Sequence, residues 1–139
     1  MEIIVDLCNQ HHGSDSELRR MALNAWSAGA DVVKIQLMDS EKFLGNSDKA
    51  YRDVSMKDFY SLSDFCQNLN IPLMATPFDE ERLSWMQRAG MKRFKIASRT
   101  VKENPALCKK ILSLNKPTII STGACAPDEF AFGFSDKIY

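Results

Sequence analysis

Two lysines stand where a strand would ordinarily be apolar. Lys95 lies within Arg93-Phe94-Lys95-Ile96-Ala97-Ser98, and Lys34 within Val32-Val33-Lys34-Ile35-Gln36. A strand alternates its faces, so Phe94 and Ile96 point one way while Lys95 and Ala97 point the other. A charge on a buried strand face is costly unless something pairs with it. Each lysine is therefore at an exposed edge or set to receive an anion. Two of them in a chain of 139 residues favour the anion.

The polar residues expected at strand ends widen that reading. They are Asp6, Lys34, Gln36, Thr76, Lys95, Ser98, Ser121 and Thr122. In parallel α/β folds ligands bind at the carboxyl ends of the strands. Two ammonium groups, several hydroxyls and the turn Thr122-Gly123 suit a small dianion carrying phosphate and carboxylate. Taken singly, a strand-end hydroxyl that caps a helix, or a lysine that reaches solvent, needs no ligand to explain it. The loop Asn9-Gln10-His11-His12-Gly13 offers two histidines that could bind metal or move a proton. Adjacent side chains point apart, and no second ligand cluster accompanies them, so the pair is a poor metal site by spacing. Neither G-x-G-x-x-G nor G-x-x-x-x-G-K-[ST] occurs. Lys102, Lys109 and Lys110 read as solvated positions on a loop and helix.

Regular elements must carry these residues. Glu2 to Cys8 is a near-continuous apolar run of the kind buried parallel strands show. Ser14-x-x-Glu17 then opens a helix with the stripe Leu18, Met21, Ala22, Ala25 and Trp26, closed at Gly29. Asp31 to Leu37 is a second strand. A long polar connection follows from Met38 to Val54, with Phe43, Leu44 and Tyr51 as anchors. Ser55-x-x-Asp58 opens a helix with Phe59, Leu62, Cys66 and Leu69. Pro72 to Thr76 is the third strand, and Asp79 caps a helix with Leu83, Met86 and Ala89. Arg93 to Ser98 is the fourth strand. Asn104-Pro105 starts a helix with Leu107, Ile111, Leu112 and Leu114. Pro117 to Ser121 is the fifth strand. A short helix at Pro127 to Phe130 and the start of a sixth strand at Lys137 to Tyr139 are further expectations. Five strands alternating with four helices predict right-handed βα units on a parallel sheet, in one domain spanning residues 1–139.

Bulk properties narrow the function classes. Eighteen basic residues balance eighteen acidic ones, so no long-range field draws nucleic acid or an anionic membrane. Any anion must be held by local geometry. The four cysteines, Cys8, Cys66, Cys108 and Cys125, form no C-x-x-C pair and read as reduced thiols of a cytoplasmic protein. Apolar runs are too short for a membrane span.

Five stretches, taken in order, carry a family resemblance. They are Val-Asp-Leu-Cys-Asn-Gln-His-His-Gly (5–13), Ala-Gly-Ala-Asp-Val-Val-Lys-Ile-Gln (28–36), Ala-Thr-Pro-Phe-Asp (75–79), Phe-Lys-Ile-Ala-Ser (94–98) and Lys-Pro-Thr-Ile-Ile-Ser-Thr-Gly (116–123). Together they resemble the N-acetylneuraminate (sialic acid) synthase family. The resemblance implies a TIM barrel, of which about five βα units are present as an incomplete barrel. It implies condensation of phosphoenolpyruvate with an N-acetylated amino sugar such as N-acetylmannosamine, giving a nine-carbon sialic-type acid and phosphate. It also implies a divalent metal, usually manganese, that polarises the sugar aldehyde and whose histidine ligands lie outside this chain. By the same resemblance Lys34, Thr76, Lys95, Ser98 and Ser121 hold phosphoenolpyruvate, with Gln36 beside Lys34. Asp6 takes the place of a glutamate near sugar and metal, so Asp6, Lys34 and Lys95 are the implied catalytic groups.

Three positions depart from the family pattern. Asp6 stands for a glutamate, Gln10 for an asparagine, and Arg99-Thr100 follows Ser98 where Gly-Asp or Gly-Glu is usual. Arg99 is either an additional anion clamp or an obstruction. The resemblance also leaves the barrel open, so a second copy or a partner chain is expected to supply strands. Two other readings remain open at this point. One is a non-catalytic phosphate- or sugar-acid-binding module on a half barrel or flavodoxin-like sheet. The other is a related phosphoenolpyruvate-dependent synthase that uses an arabinose or erythrose phosphate.

Overall fold

The computed structural model describes residues 1–45 and 47–125. The chain runs β1 (Ile4–Cys8), α1 (Asp15–Ser27), β2 (Val32–Leu37), α2 (Ser40–Leu44), a 3-10 helix (Ser47–Arg52), α3 (Met56–Asn68), β3 (Leu73–Pro77), α4 (Glu80–Arg88), β4 (Phe94–Ile96), α5 (Ser98–Glu103), α6 (Pro105–Ser113) and β5 (Thr118–Ile120). The five strands predicted from the sequence are present, four a little shorter than the pattern implies and β3 of the same length but shifted by one residue. The expectations for residues 127–139 lie outside the described residues.

Local chemistry explains the helix starts. Ser14, Ser55, Asp79 and Asn104 each accept a hydrogen bond from the backbone N–H three residues on, satisfying a donor that the helix itself leaves free. At α1 only half of the capping box forms. The Glu17 carboxylate turns away to the Arg20 guanidinium instead. Gly29 closes the α1 turn at φ +85°, a conformation that favours glycine. Asn70 and Asn115 fill the equivalent left-handed positions after α3 and α6.

All strand pairs are parallel, and the spatial order is β1-β2-β3-β4-β5. A doubly wound, flavodoxin-like sheet reverses its strand order partway. This sheet does not, so its right-handed crossovers place every helix on one face. That face carries the core: Val33, Ile35, Leu37, Ala75, Phe94 and Ile96 pack with Leu18, Phe59, Leu62, Leu83, Met86, Leu107 and Ile111. The other face presents Asp6, Lys34, Thr76 and Lys95. A bidentate ion pair at 2.6 and 2.7 Å joins Glu2, just before β1, to Arg93, just before β4. These strands are not neighbours, so the pair spans the concave side of a curved sheet. The fold is the arc of a (β/α) barrel.

Three sequence expectations need correction. The long polar connection from Met38 to Val54, to which the sequence assigned anchors but no regular element, contains two helical segments. It folds into α2 and the 3-10 helix, pinned where the Ser40 N–H and hydroxyl both donate to Asp53. Ser98 does not extend β4; it begins α5, which lacks a side-chain cap. Trp26 leaves the apolar stripe of α1 and is exposed, because Leu18, Ala22 and Ala25 already fill the buried face.

Candidate functional site

The strand-end residues converge. Asp6, Lys34, Gln36, Thr76, Lys95, Ser98 and Ser121 line one cleft of about 190 Å³ at the carboxyl rim of the sheet, joined by Phe78 and Ala97. The cleft is smaller than the roughly 300–1,000 Å³ of a drug-sized pocket and suits a small acid. Thr122 does not line it. A larger cavity, about 370 Å³, opens at the opposite end of β3 and β4, between the ends of α3 and α4. Of its two cationic residues, Lys92 and Arg93, the second is committed to Glu2. The smaller cleft is the one that gathers the strand-end residues.

Register explains the convergence. Asp6 faces Lys34 across β1 and β2, and Gln36 faces Thr76 across β2 and β3. Residues in register share a face, so all four project into the arc. Lys34 is 6% exposed and donates from Nζ to Asp6 Oδ2 at 2.6 Å. The other Asp6 oxygen accepts the Cys8 N–H at 2.9 Å. Both oxygens are therefore engaged. A bulge between Asp6 and Cys8, with Cys8 at φ +49°, turns the Cys8 thiol to within 3.3 Å of Gln36 Nε2. Burial and the Asp6 charge push that thiol's pKa up.

Lys95 donates from Nζ to the Ile96 carbonyl at 2.8 Å and to the Ser121 hydroxyl. Among the described residues no carboxylate pairs with it directly. Burial first, and the Lys34 charge second, lower its pKa to about 8, with Asp6 opposing the shift. With both lysines protonated, the cleft holds two positive charges against the single negative charge of Asp6. An incoming anion would meet a net positive site with hydroxyls at its edge and an apolar wall at Phe78.

The sequence reading did not place Phe78 or Ala97 in the cleft. Both lie in the motifs already singled out, and their positions directly beyond strand ends were the available signal. Arg99 neither clamps nor obstructs. Its guanidinium lies 4.4 Å from the centre of the Phe43 ring and pairs with Glu103 at 2.6 Å. His11 is buried, and its Nδ1 accepts the Gly13 N–H at 3.1 Å. Its Nε2 is enclosed near the Arg52 backbone without a well-formed hydrogen bond. Burial lowers the His11 pKa. His12 instead stacks on Tyr51, with ring centres 5.6 Å apart. The histidines do part company, and among the described residues no group of three His, Cys, Asp or Glu side chains could hold a metal ion.

Among the described residues, a singly wound arc of five parallel strands with a cationic cleft at its carboxyl rim defines part of a TIM-type barrel. The chain belongs to the NeuB family, whose model matches residues 21–135. It is 29% identical over 142 residues to the N,N'-diacetyllegionaminic acid synthase of Legionella pneumophila, covering 88% of this chain and 40% of that protein. It is 28% identical over 139 residues to the N-acetylneuraminate-9-phosphate synthase of Drosophila melanogaster, covering 87% and 37%. Among solved structures, the N-acetylneuraminic acid (sialic acid) synthetase of Leptospira borgpetersenii, in complex with citrate, superposes with a TM-score of 0.84 at 28% identity. That match covers 92% of this chain and 46% of the other. The truncated 3-deoxy-D-arabino-heptulosonate 7-phosphate synthase of Thermotoga maritima, at 16% identity and a TM-score of 0.67, shares the fold. The chain spans less than half the length of these relatives.

Proposed function

We propose that this chain is the amino-terminal part of a sugar-acid synthase that condenses phosphoenolpyruvate with an N-acetylated amino sugar, N-acetylmannosamine or a close analogue. One observation carries the reading: seven residues picked from strand ends line a single cleft around two lysines. Phosphoenolpyruvate fits its chemistry, with phosphate and carboxylate shared between Lys34 and Lys95 and hydroxyls of Thr76, Ser98 and Ser121 completing the contacts. Gln36 adds an amide at the same rim.

The reaction joins the methylene carbon of phosphoenolpyruvate to the aldehyde carbon of the sugar, whose oxygen takes up a proton; water adds its hydroxyl at the phosphate-bearing carbon, and the bond to phosphate then breaks. Charge shifts from the phosphate-bearing end during the first step and returns to phosphate in the last. Two fixed ammonium groups in a part-buried cleft stabilise that redistribution without reorganising. Lys95, with its pKa near 8, is also the group best suited to deliver a proton to the departing phosphate. Family resemblance implies a divalent metal as well. The described residues do not fit one: Asp6 has both oxygens engaged, and no ligand cluster surrounds it. Its ligands are assigned to the part of the protein outside this chain, and no step above passes through it.

This reading includes assembly. β1 and β5 are the free edges of the described sheet, and unpaired edges recruit further strands. We place those strands on a continuation of the same protein or, for this chain on its own, on a second copy or a partner chain; a stable monomer of the chain by light scattering at high concentration would argue against such association. A cytoplasmic setting accords with four unpaired cysteines, and no helix of the described residues is long and apolar enough to cross a membrane.

The alternative is a non-catalytic module that holds phosphoenolpyruvate or a sugar acid, a role to which the same two-lysine cleft is suited. Incubation with phosphoenolpyruvate, N-acetylmannosamine and manganese separates the two. Release of phosphate identifies a synthase, and silence with retained phosphoenolpyruvate binding favours the module. Loss of both overturns the anion site itself.

A further inference from the structure

Arg99 sits one residue beyond Ser98, yet its side chain leaves the cleft. It lies over the Phe43 ring at 4.4 Å, and Phe43 in turn meets the Phe78 ring at 4.4 Å with the planes tilted by 49°. Phe78 lines the cleft alongside Lys34 and Lys95. The three residues come from three different strand-end segments: Phe43 from α2, Phe78 from the turn after β3, and Arg99 from the first turn of α5. Glu103, one turn further along α5, pairs with the guanidinium at 2.6 Å and fixes its direction over the ring. This arrangement is a column of cation, ring and ring that ends on the wall of the anion cleft.

Such a column has a mechanical consequence. Phe43 lies on a helix of only five residues, which has little stability of its own. The Asp39 cap and the Ser40–Asp53 bonds hold its start, and cation–π and tilted aromatic contacts hold Phe43 near its end. Because α5 begins at Ser98 without a side-chain cap, the orientation of its first turn rests on neighbouring contacts as well. One stack thus ties the apolar wall at Phe78 to the hydroxyl at Ser98.

We propose that Arg99 is a positioning residue for the anion cleft, acting through Phe43 and Phe78 rather than touching the ligand. The inference rests on the phosphoenolpyruvate reading given above and adds a residue to it. Arg99 holds the wall and the Ser98 turn in the arrangement that the anion meets.

A double-mutant cycle tests this on the chain as it stands. Phosphoenolpyruvate affinity is measured by calorimetry for the wild type, Arg99→Ala, Phe43→Ala and the double variant, with circular dichroism confirming the fold. Each single change is expected to weaken binding about three- to tenfold, and the double change no more than either alone. Arg99→Lys, which keeps a cation over the ring, should recover part of the loss. Independent, multiplying losses would make Arg99 a direct anion ligand and overturn the proposal. Unchanged affinity in Arg99→Ala would overturn it too. Should Phe43→Ala fail to fold, Phe43→Leu replaces it, keeping an apolar contact to Phe78 but removing the π face. Arg99→Ala should then cost nothing further in that background. Failure of the wild type to bind would instead count against the phosphoenolpyruvate reading.

Discussion

Asp6 Oδ2 lies 2.6 Å from Lys34 Nζ, and the two residues face each other in register across β1 and β2. The ion pair is lopsided. The Lys34 side chain is 8% exposed, whereas that of Asp6 is 41% exposed. Removing the aspartate would leave a nearly buried ammonium without its partner, and removing the lysine would leave a carboxylate that water can still reach.

That asymmetry sets opposite outcomes for the two substitutions. Asp6→Asn should destabilise the free chain by about 1–2 kcal/mol, at the low end for a broken pair because Asp6 is itself partly solvated. The same change raises the net charge of the cleft and should tighten binding of inorganic phosphate about three- to tenfold. Melting curves with and without phosphate check both statements, because phosphate should restore the lost stability. Lys34→Met should abolish phosphate binding with little loss of stability.

Lys95 gives the site a pH dependence. Its folded-state pKa, about 8, lies below the ordinary lysine value. Between the two values the unfolded chain binds the extra proton, so this group's unfavourable contribution is present below about pH 8 and is relieved as pH rises towards the ordinary value. Anion affinity runs the other way. Binding requires the ammonium form, so phosphoenolpyruvate affinity should fall as pH rises through about 8, by up to roughly tenfold per pH unit. Calorimetric titration over this range checks the slope, and Lys95→Met should remove it.

His11 predicts a separate acid transition. Its pKa is lowered mainly by burial, so the folded state resists the proton that the unfolded state accepts. Stability should therefore decline as pH falls from about 6.5 towards the depressed folded value. Glu2 and Asp39, whose pKa values are also lowered, act only at more acid pH, below the ordinary carboxylate range. Melting temperatures between pH 7 and about pH 5 isolate the histidine. His11→Gln should flatten the profile there.

The cysteines should divide by burial. Cys66 and Cys108 are buried, and burial pushes both pKa values up to about 11. They should resist thiol reagents until the chain unfolds. Cys8 and Cys125 are half-buried and should react first, Cys8 the more slowly for its raised pKa. Ellman titration of native and denatured protein distinguishes the pairs.

Strand alternation alone was enough to set Lys34 and Lys95 on a polar face, and the parallel pattern sent Asp6, Gln36, Thr76, Ser98 and Ser121 to the same rim. Caps at Ser14, Ser55, Asp79 and Asn104 were equally legible, because each rests on a short-range hydrogen bond written in neighbouring residues. What escaped the sequence depends on contacts between distant segments. The local marks of α2, the Asp39 cap and Gly45 at its end, enclose only five residues and no apolar stripe; Phe43 is held there by contacts with the distant Phe78 and Arg99. Arg99 has a charge that fits an anion clamp, and only the position of the Phe43 ring shows where it goes. Trp26 keeps the helical spacing of the α1 stripe, but its neighbours had already filled the core.

The central claim is that Lys34 and Lys95 form a phosphoenolpyruvate site at the carboxyl rim of the arc. Calorimetric titration of phosphoenolpyruvate into the wild-type chain, Lys34→Met and Lys95→Met tests it most directly. The account predicts saturable binding by the wild type and a loss of at least about tenfold in each variant, with melting temperatures retained. Equal affinity in all three proteins, or no binding by a well-folded wild type, would contradict it.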